Sequence, residues 1–149
     1  MPDNKSFEQN FNDLKELAIE EAKKYAHSEI DTDHLLLALT SSDQTPAYQL
    51  LGDTVNVEKF RSVLEEITSR TSGEIQLLPT KLSKYAENAY RFAGYRYVND
   101  KTPRLDISIH LLLGIAEVEM GIAANILRCH EITYSKLLER AEKYRLEKI

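Results

Sequence analysis

Cysteine is nearly absent from this 149-residue sequence, and the single one, Cys129, cannot form a disulfide within the chain. The first residues, from Met1 to Lys5, also lack the charged and then apolar layout of a secretion signal. Together these absences favour a cytoplasmic location. Cys129 stands in an apolar helical stretch, where a thiol is more often a small core residue than a nucleophile. We therefore expect it to be buried.

Neither an excess of basic residues nor a long hydrophobic run is present. Lysine and arginine together number 19 against 24 acidic residues, which gives a net charge of -5. Proteins that bind nucleic-acid phosphates usually show a concentrated basic face, so we expect no nucleic-acid partner. The longest leucine runs fall far short of the roughly 20 apolar residues that cross a membrane, so we expect no membrane partner either.

The motifs of common catalytic and cofactor sites are also missing. None of the five glycines precedes a lysine, which excludes a Gly-x-x-x-x-Gly-Lys phosphate loop in this chain. His130-Glu131 lacks the second histidine of a His-Glu-x-x-His zinc helix. Cys129 and His130 are neighbours on a predicted helix and point about 100° apart, which does not suit a nucleophile and its base. We therefore predict no enzyme activity and no cofactor.

Two acidic residues and a histidine, Asp31, Asp33 and His34, stand close together in the sequence. They could form a metal cluster, but such residues at a helix start are more often caps beside a packed ring. We therefore predict no metal site.

What the sequence does contain is a duplicated motif. A histidine opens a run of three leucines at His34 and again at His110, 76 positions later. We expect Thr32 with His34, and Ser108 with His110, to mark the starts of two buried helices. The period exceeds the roughly 20 to 50 residues of solenoid repeats, so two similar halves should pack into one body. The same spacing relates Ala47 to Ala123 and Leu50-Leu51 to Ile126-Leu127.

Apolar residues recur at spacings of three and four along most of the chain, which predicts amphipathic helices. We predict one all-α domain over residues 1–149, within the range of about 100 to 200 residues usual for a single domain. Repeat one spans residues 7–68, a polar linker spans 69–79, and repeat two spans 80–145, with four helices in each repeat. Ser6, Asp31 or Thr32, Thr45-Pro46 and Asn56 are the expected helix starts of the first repeat.

The sequence also predicts where two helices end, where the two repeats differ and which apolar residues face the core. We expect Gly52 to close the third helix in a left-handed cap and Gly94 to end the fifth. The second repeat then carries about eight extra residues between its first two helices, and residues 99–104 form an exposed polar loop. Val63 and Phe92 belong to apolar stripes and are expected to face the core.

The loop and the helix starts together suggest a recognition surface. Tyr95 and Tyr97 flank the loop, and exposed aromatic side chains are common anchors for a bound partner. The candidate partner-binding or substrate-binding residues are Glu8, Asp33, Tyr95, Tyr97, Asp100, Lys101 and Arg104.

The order of these segments resembles a known family. Thr32-Asp33-His34-Leu35-Leu36-Leu37 follows a helix that ends near residues 20–27, and Gly94-Tyr95-Arg96-Tyr97-Val98 leads to His110-Leu111-Leu112-Leu113-Gly114. With these paired motifs the chain resembles the Clp N-terminal domain, the double-repeat module of Clp-type AAA+ unfoldases that also occurs in small free-standing proteins. The resemblance covers residues 7–144.

The resemblance implies an all-helical body of two pseudo-twofold repeats, without catalysis of its own. Such a domain binds substrates or adaptor proteins and passes them to an unfoldase and its partner protease. The implied partners are Clp ATPase or protease subunits, adaptors, and unfolded or tagged substrates. The alternative is a free-standing accessory subunit that stabilises or regulates a Clp protease assembly.

Three positions depart from the family pattern. Family repeats typically read Gly-Thr-Glu-His, and in a Gram-positive branch that glutamate receives the guanidinium of a phosphorylated arginine. Asp33 takes its place in the first repeat and can still pair with a guanidinium, whereas Ile109 in the second cannot accept a hydrogen bond. Glu8 replaces a threonine near the phosphate and would repel it. The resemblance thus implies at most one such site here.

Overall fold

The computed structural model describes residues 6–70, 79 and 81–147, and over these residues the chain forms eight α-helices. This architecture confirms the all-α prediction. An isolated parallel bridge between Ile30 and Leu82 is the one β-type pairing among the described residues. The helices are α1 (Phe7–Lys24), α2 (Thr32–Leu39), α3 (Pro46–Gly52), α4 (Val57–Ser69), α5 (Lys84–Val98), α6 (Ile107–Val118), α7 (Ile122–Cys129) and α8 (Tyr134–Glu147).

The helix starts repeat along the chain because the capping residues repeat. At six of the eight helix starts a side-chain oxygen accepts a backbone N–H group that the first helical turn leaves unpaired, and the starts of α3 and α7 have no such cap. The same pattern of caps therefore sets the same pattern of helices in both halves. The matching caps are Ser6 and Ser83, Asp31 and Asp106, and Asn56 and Thr133, which lie 75 to 77 positions apart.

The packing of the helices is related by an exchange of the two halves. Helix α2 contacts α7 as α6 contacts α3, and α1 contacts α6 as α5 contacts α2. The pairs α3 with α8 and α4 with α7 match in the same way. This is the pseudo-twofold relation expected of a duplicated chain. Every residue of α2 and residues 108–115 of α6 are buried, so the two copies of the leucine motif form the centre of the core.

Two predictions about glycines are wrong. Helix α5 does not end at Gly94 but continues to Val98. Gly94 is a position of close approach, because a Cβ atom there would lie 3.0 Å from the Phe7 ring. Helix α3 does end at Gly52, but its capping residue, Asp53, has a right-handed helical backbone, so the expected left-handed cap does not form.

The predicted insertion of about eight residues in the second repeat is also wrong, because α5 continues past Gly94 to Val98. Residues 25–31 connect α1 to α2, and residues 99–106 connect α5 to α6, so the two connections differ by only one residue. The residues that were assigned to an extra loop include the last turn of α5. The loop at 99–104 exists, but it has a counterpart of nearly equal length in the first repeat.

Three side chains that were expected to be buried face solvent. Val63 is 40% exposed, Phe92 is 38% exposed, and Cys129 is exposed as well. Cys129 is the last residue of α7, and the buried face of that helix ends at Leu127. A spacing of three and four residues locates an apolar stripe, but it does not give the width of the stripe.

The two halves are joined where the chain enters α5. The predicted linker covers residues 69–79, of which 71–78 lie outside the described residues. Beyond it, the Ile30 N–H donates to the Lys81 carbonyl and the Ser83 N–H donates to the Ile30 carbonyl, each at 2.9 Å. The segment before α5 is therefore bound directly to the loop before α2.

Among the described helices, none is by itself long and apolar enough to cross a membrane. Helices α6 and α7 pass a test of length and composition only as a pair, and they meet at a bend of 91°.

Candidate functional site

In the first repeat the motif histidine lies in a chain of hydrogen bonds. The Asp31 backbone N–H donates to His34 Nδ1 at 2.8 Å, and His34 Nε2 lies 2.6 Å from His27 Nδ1. Since Nδ1 of His34 accepts a hydrogen bond from the Asp31 N–H, a neutral ring carries its proton on Nε2 and donates a hydrogen bond to His27 Nδ1. Burial lowers the pKa of His34, although the nearby Asp33 carboxylate opposes this effect.

His27, Asp33 and His34 also form a geometric candidate for a metal site, since their ligand atoms all lie within 4.8 Å of one another. The hydrogen bonds argue against that role. The Nε2 atom of His34 is protonated and so has no lone pair for a metal, and its Nδ1 atom is already occupied. The Asp33 carboxylate accepts from the His34 N–H at 3.0 Å and from Thr68 Oγ1 at 3.0 Å. The cluster is a hydrogen-bonded helix start.

In the second repeat the motif histidine belongs to a buried ionic network. His110 Nε2 lies 2.8 Å from Asp100 Oδ2, and the other oxygen of Asp100 accepts from Arg145 Nη2 at 2.8 Å. Burial by itself would raise the pKa of Asp100, but hydrogen bonds from Arg145, the Leu105 N–H and His110 lower it to about 2. Burial lowers the pKa of His110 despite the adjacent carboxylate.

The two motifs differ because α6 begins one residue earlier than α2 relative to its histidine. Asp31 lies three residues before His34, so its N–H reaches the ring, whereas Asp106 lies four residues before His110. Among the described residues, Nδ1 of His110 is consequently buried without a hydrogen-bond partner.

Arg145 is the residue of this network that sequence reasoning missed. Its side chain is 5% exposed, and Nη1 donates to the Lys101 carbonyl at 3.2 Å and to the Pro103 carbonyl at 2.6 Å. It therefore fixes the backbone of the loop from the end of α8. A signal was present, because Leu137, Ala141 and Arg145 lie at a spacing of four on the buried face of that helix.

The structure separates the predicted site residues into two groups. The carboxylates of Asp33 and Asp100 are buried and already hydrogen-bonded, and Tyr97 is only 7% exposed, so none of the three has a largely exposed side chain. Glu8, Tyr95, Lys101 and Arg104 are exposed. Tyr95 is 74% exposed, the highest value among the large apolar side chains that face solvent.

The start of α1 and the loop after α5 enclose a groove, which we call the α1–loop groove. It has a volume of about 590 Å³ and is lined by Asn10 of α1, by Tyr97 and by residues 100 and 102–107. Ligand sites usually measure about 300 to 1,000 Å³. Of the predicted site residues, Tyr97, Asp100 and Arg104 line this groove, whereas Asp33 does not.

Tyr97 forms a rigid surface beside the groove. Its ring packs against Phe7, with centroids 5.5 Å apart, and against the edge of His110 at 5.8 Å. Its hydroxyl accepts from Asn10 Nδ2 at 3.2 Å. The guanidinium of Arg104 lies over the same ring, 4.6 Å from its centroid. The arrangement can hold a ligand by hydrogen bonds and charge.

Comparison with known proteins identifies similar sequences and a similar structure. A sequence model of the Clp repeat (R) N-terminal domain matches residues 6–94. An ATP-dependent Clp protease ATP-binding subunit ClpA homolog of Porphyra purpurea is 29% identical over 133 residues, which cover 85% of this chain. The chloroplastic chaperone protein ClpC of Pisum sativum is 29% identical over 118 residues, or 74% of this chain. The aligned parts are only 15% and 12% of these two relatives.

The fold also occurs in a structure solved in preliminary investigations of a malarial protein secretion system. It superposes with a TM-score of 0.74 and covers 91% of both chains, at 18% sequence identity. At that identity the likeness concerns the fold alone.

Proposed function

This chain belongs to the Clp repeat N-terminal domain family, and from that premise we propose that it is a non-catalytic protein-binding domain. In this proposal it recruits substrates or adaptor proteins to a Clp AAA+ unfoldase and its protease. The relatives are an ATP-binding subunit of a Clp protease and a Clp chaperone. The chain corresponds to a small share of their length, so unfolding and proteolysis are assigned to other domains or subunits.

The observation that carries the proposal is the α1–loop groove. Tyrosine and arginine are enriched among the residues that dominate protein interfaces, and here Tyr97 and Arg104 meet at one groove. Tyr95 and Lys101 are exposed as well, but they do not line the groove. Asp33 is not part of this surface because its carboxylate is buried.

Capture of proteins by the immobilised chain tests the proposal. The wild-type chain is compared with Arg104→Gln and Tyr95→Ser, both at exposed positions, and with Arg70→Gln as a control. Arg70 is exposed, pairs with Glu66 and does not line the groove. We expect adaptor or unfolded substrate proteins, identified by mass spectrometry, to be retained by the wild type and the control and depleted in Arg104→Gln and Tyr95→Ser.

Two outcomes contradict the recruiting role. Retention of Clp ATPase or protease subunits alone, unaffected by Arg104→Gln and Tyr95→Ser, indicates an accessory subunit of the assembly. Retention of no protein by the wild-type chain contradicts protein binding altogether. Replacing the whole loop is a weaker test, because it removes Asp100, the buried partner of Arg145 and His110.

A further inference from the structure

We propose that Arg104 is the anchor of the α1–loop groove and that it binds the side-chain carboxylate of an aspartate or glutamate in an extended segment of a partner protein. The proposal rests on the proposed function and names the chemistry of the partner. It depends on three features of the structure, which are the state of the Arg104 guanidinium, the rigidity of its backbone and the charges along the groove.

Among the described residues, Arg104 is the one arginine whose guanidinium has no hydrogen-bond acceptor. Its guanidinium stacks on Tyr97 instead. Each of the seven other arginines donates to a carboxylate, a carbonyl or an amide oxygen. Their acceptors include Glu21 for Arg61, Glu66 for Arg70, Glu87 for Arg91, Glu117 for Arg96, Glu119 and Asn125 for Arg128, Asp53 for Arg140, and Asp100 for Arg145.

Stacking on Tyr97 orients the guanidinium without using its hydrogen-bond donors. A guanidinium that lies over an aromatic ring is held by its face, and its N–H groups point outward in the plane of the fork. The fork matches the two oxygens of a carboxylate and can pair with both at once. Tyr97 is itself fixed by Phe7, Asn10 and His110, so the position of the cation is well defined.

The backbone of Arg104 is held on both sides. The carbonyl of Pro103 accepts from Arg145 Nη1 at 2.6 Å, and the N–H of Leu105 donates to Asp100 Oδ2 at 2.8 Å. Binding a ligand therefore requires little further ordering of the loop or of the side chain. An anchor that is ordered before binding loses less conformational entropy on association.

The charges along the groove favour a carboxylate over a phosphate. Asp106 lines the groove, and one of its oxygens accepts only the Ser108 N–H. The Asp106 carboxylate repels a phosphate dianion more than a single negative charge. Asn10 keeps its amide oxygen for a backbone N–H of the bound segment.

Nuclear magnetic resonance of the full chain tests the anchor directly. The probe is the blocked peptide acetyl-Gly-Glu-Gly-amide, and the Nε–Hε signal of Arg104 is assigned by its loss in Arg104→Gln. We expect a saturable shift of this signal and of the Asn10 side-chain amide. The peptide with glutamine in place of glutamate should bind about tenfold more weakly, or not detectably, because the charge-assisted pair is lost.

Matched variants separate the fork from charge alone. Arg104→Lys keeps the charge but loses the planar fork, so it should bind the glutamate peptide more weakly than the wild type. Arg91→Gln is the control, because Arg91 is exposed, pairs with Glu87 and does not line the groove. It should bind like the wild type. Unchanged backbone spectra in all variants verify that the fold is intact.

Three results overturn the proposal. They are the absence of any shift at Arg104, equal binding of the glutamate and glutamine peptides, and a shift produced only by a phosphoserine peptide or by a free C-terminal carboxylate. The recruiting role is judged separately by the capture experiment. If the chain captures partners and Arg104→Gln captures the same set, the anchor is wrong while the proposed function stands.

Discussion

At the scale of single residues, the motif histidines occupy matching positions but meet different partners. His34 donates to a second histidine, whereas His110 faces a carboxylate that is itself paired with an arginine. Burial lowers the pKa of both rings below the ordinary value of 6.5. The core therefore favours the neutral form of both rings, although each lies near a carboxylate, Asp33 for His34 and Asp100 for His110.

This lowering of the histidine pKa values predicts how stability depends on pH. Below pH 6.5 the unfolded chain binds protons on His34 and His110 that the folded chain does not, so the free energy of unfolding falls as the pH decreases. The histidine contribution is complete above pH 6.5. We expect the urea midpoint at pH 5.5 to be lower than at pH 7.5. Asp100, with a pKa of about 2, does not titrate in this interval.

The control is a titration of each histidine by nuclear magnetic resonance in the folded chain and in urea. In urea both rings should titrate near 6.5, and in the folded chain both should titrate at lower pH. A urea midpoint that is unchanged or higher at pH 5.5 contradicts the prediction.

At the scale of helices, α5 and α6 approach each other closely at Gly114. A Cβ atom on Gly114 would lie 2.5 Å from the backbone carbonyl oxygen of Ala89, a distance that real Cβ contacts do not show. The matching position of the first repeat is Ala38, which is buried and carries a Cβ atom. The position therefore carries a Cβ atom in the first repeat, whereas in the second repeat a Cβ atom there would meet the Ala89 backbone.

Gly114→Ala should therefore destabilise the protein. Overpacking against a backbone atom costs about 1 to 3 kcal/mol, which exceeds the gain of up to about 1 kcal/mol in helix propensity. Gly52→Ala is the matched control, because its Cβ would meet only Val57, at 3.9 Å. We expect that change to be neutral or slightly stabilising. Urea unfolding of the two variants measures the difference, and equal midpoints would show that α5 and α6 can separate at no cost.

The helix starts could be predicted from sequence because a cap is a local feature. Ser6, Asp31 and Asn56 each satisfy a backbone donor within the next three residues, and the structure contains all three caps. The end of α5 could not be predicted in this way. Gly94 resembles a terminator in sequence, but its role is to admit the Phe7 ring of another helix. That contact depends on packing between segments far apart in the chain.

In the candidate site too, local features could be predicted from the sequence, whereas contacts between distant segments could not. Lys101, Arg104 and Tyr95 were predicted as surface residues from local polarity and aromatic content, and they are exposed. Asp33 and Asp100 were grouped with them, yet both carboxylates are buried against partners that lie 35 and 45 positions away in the sequence. A carboxylate in a polar segment gives no sign of such a distant partner.

At the scale of the whole molecule, Arg145 connects the last helix to the loop that forms the groove. The ion pair with Asp100 is almost fully buried, with side-chain exposures of 5% and 7%. A buried pair contributes less than its charges suggest, because both groups lose their hydration. Removal of one partner is costly, since the other charge then remains buried without compensation.

Arg145→Met should lower the free energy of unfolding by about 3 to 5 kcal/mol, as for other broken buried pairs. Arg70→Met is the control, because its pair with Glu66 is exposed and should contribute no more than about 0.5 kcal/mol. Arg145→Met also leaves the carbonyls of Lys101 and Pro103 without their donor, so the loop that carries Arg104 loses its fixed backbone. Urea unfolding measures the first effect, and titration with the glutamate peptide under folding conditions measures the second. Lost stability with unchanged peptide affinity would mean that Arg104 is positioned by Tyr97 alone, and not by the contact between α8 and the loop.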